Sequence, residues 1–261
     1  MFQLSVLVSG SKGNAVLIRT AETLVLLDAG VSAKTIYTNM EELGIDRREL
    51  RAVVVSHEHS DHTRGVGAAL RQLKIPLYIN RDTLAQCQHR IGKLPLPVQL
   101  FETGYPFAIG DLQVHPFSSS HDAADSCNFT FQRRDDPRSK LGIATDLGYP
   151  TALAVQQLKN CTTLVLESNH DERLLMEGPY EWPLKQRIKS ITGHLSNLQA
   201  VGVVSQILHQ GLQNLILAHL SEINNDPQLA CRTMQNYLDS MRSQTKLMIA
   251  GQYQPTPLID V

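Results

Sequence analysis

The chain has 261 residues, 42% of them apolar and 19% charged, a balance typical of a globular protein that buries a substantial core. Its net charge of −1 argues against a basic surface that covers the whole molecule, although local basic clusters can still bind nucleic acid. No apolar run approaches the roughly 18 residues of a membrane span, and the chain start lacks the basic segment of a signal peptide. Four widely spaced cysteines without a CxxC pair argue against disulfides and a cysteine zinc site, so we expect a reduced, cytoplasmic protein.

The first part of the chain is predicted to consist mainly of strands. Apolar runs bounded by turn residues predict strands at 2–9, 15–20, 23–30, 52–56, 76–80, 107–118, 127–134 and 140–146. Two helices are predicted among them, one from an N-cap at Ser32 to about Leu43 and one over 63–74.

The second part of the chain alternates between helices and strands. Helices are predicted near 150–158, 197–210 and 227–241, and strands at 162–168, 214–219 and 245–251. Both parts therefore begin with strands and continue with alternating elements. This order predicts an α/β protein in which two sheets pack face to face with helices outside, as a single domain over residues 1–261.

The stretch VVVSHEHSDHTRG, residues 53–65, concentrates metal-binding side chains directly after an apolar strand. His57 and His59 are one residue apart, so in an extended backbone both rings can reach one metal ion. Asp61 and His62 follow where the chain should turn into a helix. Four such side chains can hold two ions but cannot complete both coordination shells, so further ligands must come from elsewhere.

Three more candidate ligands stand at the ends of predicted strands. His121 follows FSSS, Asp146 ends LGIATD, and His219 ends NLILAH. Each is expected at the sheet edge to which strand 52–56 brings its histidines. Ligands gathered at one edge can share one site.

The order of these residues, HxHxDH at 57–62 and then a distant His, Asp and His, resembles the metallo-β-lactamase fold superfamily over essentially the whole chain. The resemblance implies a four-layer αββα sandwich with two mixed sheets. It implies a first metal ion bound by His57, His59 and His121, a second bound by Asp61, His62 and His219, and Asp146 bridging both. Asp28, in LLDAG, would steady the motif loop by hydrogen bonds, unless it is only a turn residue before Gly30.

The resemblance also bears on the reaction. Two bound ions can share a hydroxide, because coordination lowers the pKa of water to about 7, and can clamp a phosphoryl group. The superfamily acts on lactams, thioesters and phosphodiesters, so the fold alone does not select a substrate. Since Asp61 is present and no cysteine lies in a ligand motif, the set favours phosphodiesters or thioesters over lactams. Histidine and carboxylate ligands accept zinc, manganese or iron.

Four further stretches resemble the YycJ/WalJ-type branch, whose members resemble exonucleases acting on DNA from 5′ ends: SGSKGN (9–14), LESNHD (166–171), TGHLSN (192–197) and AHLSEINN (218–225). The PhnP branch, which cleaves cyclic phosphodiesters, typically has cysteine ligands for a structural zinc that are missing here. We therefore predict a dinuclear phosphodiester hydrolase, a 5′ to 3′ DNA exonuclease with a metal-bridging hydroxide as nucleophile. The alternatives are a cyclic phosphodiesterase, a glyoxalase-type thioesterase and a non-catalytic metal-binding protein.

His194, in TGHLSN, is predicted to act with Asp61 in catalysis. It precedes a helix that begins near Ser196, whose amide groups could hold a phosphate, so His194, Ser196 and Asn197 are predicted to bind substrate. His194 would bind the scissile phosphate or protonate the leaving oxygen, unless it only packs beside that helix.

Residues of LESNHD are predicted to support the ligands or to contact substrate; they are Glu167, Asn169 and His170. Two basic clusters, one of Arg133, Arg134, Arg138 and Lys140 and one at 185–189, could follow a nucleic-acid backbone or be solvated surface. His89, His115 and His209 belong to no motif and are predicted to be structural or exposed.

Overall fold

A computed structural model describes all residues from 1 to 261. Its first sheet has seven strands in the order β14-β1-β2-β3-β4-β5-β6. They are β1 (Phe2–Val8), β2 (Ala15–Thr20), β3 (Leu24–Leu27), β4 (Leu50–Val54), β5 (Leu77–Asn80), β6 (Gln99–Phe101) and β14 (Ile259–Asp260). Strands β14 to β3 pair antiparallel and β3 to β6 pair parallel, so the sheet is mixed.

The second sheet also has seven strands, in the order β13-β12-β11-β10-β9-β8-β7. They are β7 (Phe107–Ile109), β8 (Leu112–Ser118), β9 (Cys127–Arg133), β10 (Lys140–Ala144), β11 (Thr163–Glu167), β12 (Asn214–Ala218) and β13 (Lys246–Ile249). Strands β7 to β10 pair antiparallel and β10 to β13 pair parallel, which repeats the arrangement of the first sheet.

Nine helices cover the sheets, and none has both the length and the apolar composition needed to cross a membrane. They are α1 (Ala33–Glu42), α2 (Ser60–Thr63), α3 (Val66–Leu73), α4 (Arg81–Ile91), α5 (Ala152–Leu158), α6 (Glu172–Glu177), α7 (Trp182–Lys189), α8 (Asn197–Ile207) and α9 (Pro227–Ser240).

Three apolar clusters stack the elements into four layers. The middle cluster lies between the sheets and combines residues of both, such as Val54 with Phe129 and Ile216. The outer face of each sheet packs on helices, for example β3 on α1 and β12 on α8. The predicted αββα sandwich with two mixed sheets is therefore confirmed. Because one apolar interior joins both sheets, we propose that residues 1–261 form a single domain.

The parallel halves of the two sheets bring several strand ends to the same side. In the second sheet Leu166 of β11 is level with Ala144 of β10 and Leu217 of β12, so the three strands end together. We call the side where β3, β4, β10, β11 and β12 end the carboxyl edge. The loops that leave this edge carry the candidate ligands.

The structure corrects several predicted elements. The strand predicted at 107–118 is the hairpin β7–β8, which turns at Gly110, where φ is +58° and a Cβ would lie 2.2 Å from Thr23 Oγ1. The helix predicted at 63–74 is interrupted between α2 and α3, because the Gly65 amide donates to Ala29 O at 2.7 Å. Helices α4, α6 and α7 were not predicted. Most of their side chains are exposed. In α6 and α7 only Leu175 and Ile188 are buried, too few to form a helical period, whereas Cys87 and Ile91 of α4 are four positions apart and were an available helical signal.

Candidate active site

The loop after β4 brings three imidazoles together. The chain stays extended after β4 and turns at His59, which is the N-cap of α2. His59 Nδ1 lies 3.2 Å from His57 Nε2 and 3.2 Å from His121 Nε2. His121 comes from the loop after β8. These three side chains could hold one metal ion, since their nitrogens all lie within 4.8 Å of one another.

A second group of ligand atoms lies beside the first. Asp61 Oδ2 is 3.5 Å from His62 Nε2 and 3.8 Å from His219 Nε2. Asp146, which follows β10, contacts both groups: Oδ2 lies 3.2 Å from His62 Nε2, and Oδ1 lies 3.7 Å from His121 Nε2. The structure thus brings together all seven residues that the sequence suggested as ligands.

The chemistry of this cluster fits divalent metal ions. Asp146 Oδ2 and His219 Nε2 are buried without a hydrogen-bond partner, which is costly unless another group satisfies them. Imidazole nitrogens and carboxylate oxygens are suitable donors for divalent metals. Burial opposes ionisation of Asp146, but the charges of His219 and His62 outweigh it and hold the pKa of Asp146 well below its usual value.

Asp28 holds the loop that carries HxHxDH (57–62) in place by hydrogen bonds. Its backbone has φ +59°, in the left-handed region, directly after β3. The carboxylate accepts hydrogen bonds from Ser56 N, Ser56 Oγ and His62 Nδ1, each at 2.8 Å. Because Nδ1 of His62 is engaged by Asp28, its Nε2 is the nitrogen that faces Asp146.

Asn14 supports the same loop from the other side and was missed by sequence reasoning. Its Nδ2 donates to Asp61 Oδ2 at 3.4 Å, and its backbone N donates to Asp61 O at 2.7 Å. Gly30 permits this close packing, since a Cβ there would lie 1.5 Å from Asp61 O. The stretch SGSKGN (9–14), which ends in Asn14, indicated a family resemblance but no contact with Asp61. The available sequence signal was an asparagine at the end of a glycine-rich turn, directly before the predicted strand at 15–20.

Glu167, at the end of β11, contacts both His219, a candidate ligand, and His194. Its buried carboxylate accepts from His219 Nδ1 at 2.7 Å and from His194 Nδ1 at 2.9 Å, as well as from the Leu147 and Leu195 amides at 3.0 Å. Burial raises its pKa, but the charge of His194 and the hydrogen bonds from both histidines prevail and lower the pKa to about 2. One carboxylate therefore orients both imidazoles through their Nδ1 atoms.

His194 lies on the open side of the cluster. Its ring centroid is 5.2 Å from that of His121 and 5.1 Å from that of His219, and its side chain is 20% exposed. Since Glu167 engages Nδ1, Nε2 is the nitrogen left to face a bound molecule. His194 thus stands beside the ligand cluster with one ring nitrogen free.

Ser196 and Asn197, which were predicted to contact substrate, do not line the open side of this site. Ser196 Oγ accepts from Gln199 N at 3.2 Å, while Ser196 N donates to Gln199 Oε1 at 2.8 Å, which forms a capping box. Asn197 N donates to His170 O at 2.8 Å. The Asn197 and Gln199 amides at the start of α8 are therefore engaged within the protein and are not available to a phosphate.

Asn169 and His170, the other two residues singled out in LESNHD, differ from each other in their position relative to the site. Asn169 lines the open side of the site, and its Nδ2 donates to His219 O at 2.9 Å. His170 is only 1% exposed and does not line it. Burial lowers the pKa of His170 to about 4, against the opposing charge of Glu167.

A cleft of about 230 Å³ opens over the cluster. Its lining residues are Ser11, His59, Asp61, His121, Asp146, Asn169, Tyr180, Leu184, Arg187, Ile188, His194, His219 and Ser221. Arg187, from the basic cluster at 185–189, is the one Lys or Arg among them. Its Nε donates to Asp122 Oδ2 at 2.6 Å, so the guanidinium is held at the cleft wall.

The other basic cluster does not flank the cleft, so of the two predicted alternatives the structure favours solvated surface. It occupies the turn between β9 and β10, at the edge opposite to the carboxyl edge. Arg133 pairs with Asp135, Arg138 pairs with Asp136, and Lys140 Nζ donates to the backbone. Of the histidines outside the motifs, His115 and His209 lie near backbone carbonyls and His89 is exposed, as predicted.

Comparisons with known proteins agree with the fold and the motif. A family model described as "Beta-lactamase superfamily domain" matches residues 23–220. The chain is 34% identical to exodeoxyribonuclease YycJ of Bacillus anthracis, over 90% of this chain and 88% of that protein. It is 35% identical to exodeoxyribonuclease WalJ of Streptococcus pneumoniae, over 91% and 88%. The metallo-β-lactamase fold protein YhfI from Bacillus subtilis superposes with a TM-score of 0.72 and 16% identity, over 97% of this chain and 99% of that one.

Proposed function

The chain belongs to the β-lactamase superfamily, in the branch of the YycJ and WalJ proteins, and from this premise we propose that it is a metal-dependent phosphodiester hydrolase, a 5′ to 3′ DNA exonuclease. The observation that carries the proposal is the contact of Asp146 with both groups of candidate ligands, beside an independent histidine in an open cleft. A bridged pair of ions is the arrangement that clamps a phosphoryl group during displacement.

We assign the first ion to His57, His59 and His121, and the second to Asp61, His62 and His219, with Asp146 between them. Zinc or manganese suits these donors, and iron is also compatible. When bound, the ions would neutralise charge on the phosphoryl oxygens and acidify a water molecule.

Asp61 offers an ionised carboxylate on the cleft wall. Burial opposes its ionisation, but the charge of His62 and hydrogen bonds with His219 and His62 keep its pKa far below the usual value. Asn14 restrains the same carboxylate oxygen. Asp61 would thereby help to orient the attacking water as well as serve as a ligand.

His194 would act as the general acid. As the water oxygen bonds to phosphorus and the bond from phosphorus to the 3′ oxygen breaks, Nε2 would give its proton to that leaving oxygen. Glu167 accepts a hydrogen bond from His194 Nδ1 at 2.9 Å, which fixes the orientation of the ring. Because Glu167 also fixes His219, the acid and the second metal site share one support.

Arg187 would hold a substrate phosphate. It is the single permanent cation among the residues that line the cleft, and the only hydrogen bond of its guanidinium within the protein runs from Nε to Asp122. The remaining guanidinium N–H groups are therefore available to phosphate oxygens, which they match in geometry.

The proposal is tested with linear duplex DNA that carries labelled 5′-phosphates, incubated with protein and Mn²⁺ or Zn²⁺. We expect the label to be released as a 5′-mononucleotide. A circular duplex should remain intact, and an Asp61→Ala, His62→Ala double variant should be inactive. Intact linear DNA, with two equivalents of metal bound to the protein, would overturn the nuclease proposal and direct attention to small phosphodiesters or thioesters.

A further inference from the structure

Helix α7 has a polar face that does not line the cleft. Leu184, Arg187 and Ile188 line the cleft. Another side of the helix, together with α6, borders a separate groove of about 330 Å³. We call it the outer groove; its lining residues are Met176, Trp182, Lys185, Gln186 and Lys189.

The outer groove combines an exposed aromatic ring with two cations. Trp182 is 55% exposed, which is unusual for so large an apolar side chain on a surface without a partner. Positions 182, 185, 186 and 189 follow the helical period, so their side chains share one face. Lys185 Nζ donates to Met176 O at 2.8 Å, which places its charge at the groove, and no lining residue is acidic.

This combination suits an unpaired nucleic-acid strand. Bases stack on exposed aromatic rings whatever their sequence, while neighbouring Lys or Arg residues neutralise the backbone phosphates. A paired duplex would not offer a base face to Trp182. An α-helix is about 10–12 Å across with its side chains, so the outer groove is one helix thickness from the cleft.

We propose that the outer groove binds a single-stranded segment of the DNA substrate, with a base stacked on Trp182 and phosphates on Lys185 and Lys189. This inference rests on the proposed nuclease function and extends it: α7 contacts substrate on two faces, Arg187 inside the cleft and the outer groove outside it. Long substrates then gain contacts that short ones lack.

Trp182 is the only tryptophan of the chain, so its fluorescence reports on this groove alone. The metal-loaded protein is titrated with a short single-stranded oligonucleotide whose phosphorothioate linkages resist cleavage. We expect saturable quenching of the Trp182 emission by stacked bases. An abasic oligomer with the same number of phosphates should quench much less, which separates stacking from charge attraction.

The matched variants remove two positive charges each. Lys185→Ala with Lys189→Ala should weaken oligonucleotide binding about tenfold and reduce the slope of log affinity against log salt by about 1.4. Arg133→Ala with Arg138→Ala, at the opposite edge, should change neither. Turnover of bis(p-nitrophenyl) phosphate should be the same in both variants, because that small substrate does not reach the outer groove.

The outcomes separate the two proposals. Wild-type protein that quenches with oligonucleotide but cleaves no DNA would refute the nuclease function and leave the strand-binding groove in place. Wild-type protein that degrades DNA while its Trp182 emission stays unchanged would overturn the groove inference. So would a lysine double variant that binds and degrades long DNA like wild type, or stronger quenching by an acidic peptide than by the oligonucleotide.

Discussion

The two edges of the sandwich show how differently one protein can use its charged residues. At the opposite edge, Arg133 and Arg138 pair with acids two positions away in the sequence, largely in solvent. Such exposed pairs contribute little to stability. At the carboxyl edge, Asp146 and His219 are buried with polar atoms that no protein group satisfies. A dense charge pattern therefore marks a site where folding buries the charged groups and leaves some of their polar atoms unsatisfied.

Left-handed backbone at non-glycine residues occurs at both edges. Asp28, Asp146 and His219 all have φ between +54° and +59°, directly after or near the ends of buried strands. The left-handed conformation costs a non-glycine residue of the order of 1 kcal/mol or more. Lys74, Asn160 and Arg242 have the same conformation before β5, β11 and β13, at the opposite edge. Backbone strain alone therefore does not mark the site, and the carboxyl edge differs in combining it with buried, unsatisfied polar atoms.

The largest difference in metal content and activity is expected between two variants that each remove one aspartate, Asp146 at the carboxyl edge or Asp136 at the opposite edge. Asp146→Ala should release metal and lower DNA cleavage by at least about a thousandfold, because Asp146 contacts both ligand groups. Asp136→Ala, at the opposite edge, should retain both metal and activity. Metal content by mass spectrometry and cleavage of labelled DNA measure these effects. Full metal occupancy in Asp146→Ala would contradict its bridging position.

Two histidine variants compare His194, at the carboxyl edge, with a histidine outside the site. His194→Ala should lower turnover about a hundredfold and leave bound metal unchanged, because the proposed role of this ring is at the leaving group and not as a metal ligand. His115→Ala, which removes a half-buried histidine outside the site, serves as the control. Loss of metal from His194→Ala would show instead that this ring coordinates an ion.

An arginine pair compares the two basic clusters directly. Arg187→Ala should raise the KM for DNA about tenfold and reduce the salt dependence of binding by about one phosphate contact. Arg187→Lys should restore part of the affinity, since it keeps the charge but not the planar donors. Arg133→Ala should have no effect on KM. Equal KM values for all three variants would remove Arg187 from the substrate site.

The smallest effect concerns stability in acid. The pKa of His170 falls from 6.5 to about 4 on folding, mainly through burial. Between these values the unfolded chain binds a proton that the folded protein does not, so stability falls as the pH is lowered through this range, by at most about 3 kcal/mol.

Urea unfolding of chelator-treated protein, at pH 6.5 and near pH 4, measures this difference. His170→Asn should lose less stability on acidification than wild type does. His89→Asn, which changes an exposed histidine, should behave like wild type. An unchanged acid response in His170→Asn would show that other groups govern it.

Some features of the site could be inferred from local sequence. HxHxDH at 57–62 follows an apolar strand, and Asp146 and His219 each follow another, so strand periodicity alone placed them at one edge. The capping box between Ser196 and Gln199 was also readable, as a serine and a glutamine three positions apart. It would have shown that the Gln199 amide, at the start of α8, is engaged by Ser196.

The chain by itself thus determined the two-sheet architecture and the order of the candidate ligands, because both depend on short-range periodicity and spacing. Only the tertiary structure decided that Glu167 holds His194 and His219 together, that Asn14 contacts Asp61, and that Arg187 rather than Arg133 lines the cleft. Those contacts join residues tens of positions apart. They depend on how strands and helices pack, which no local pattern encodes.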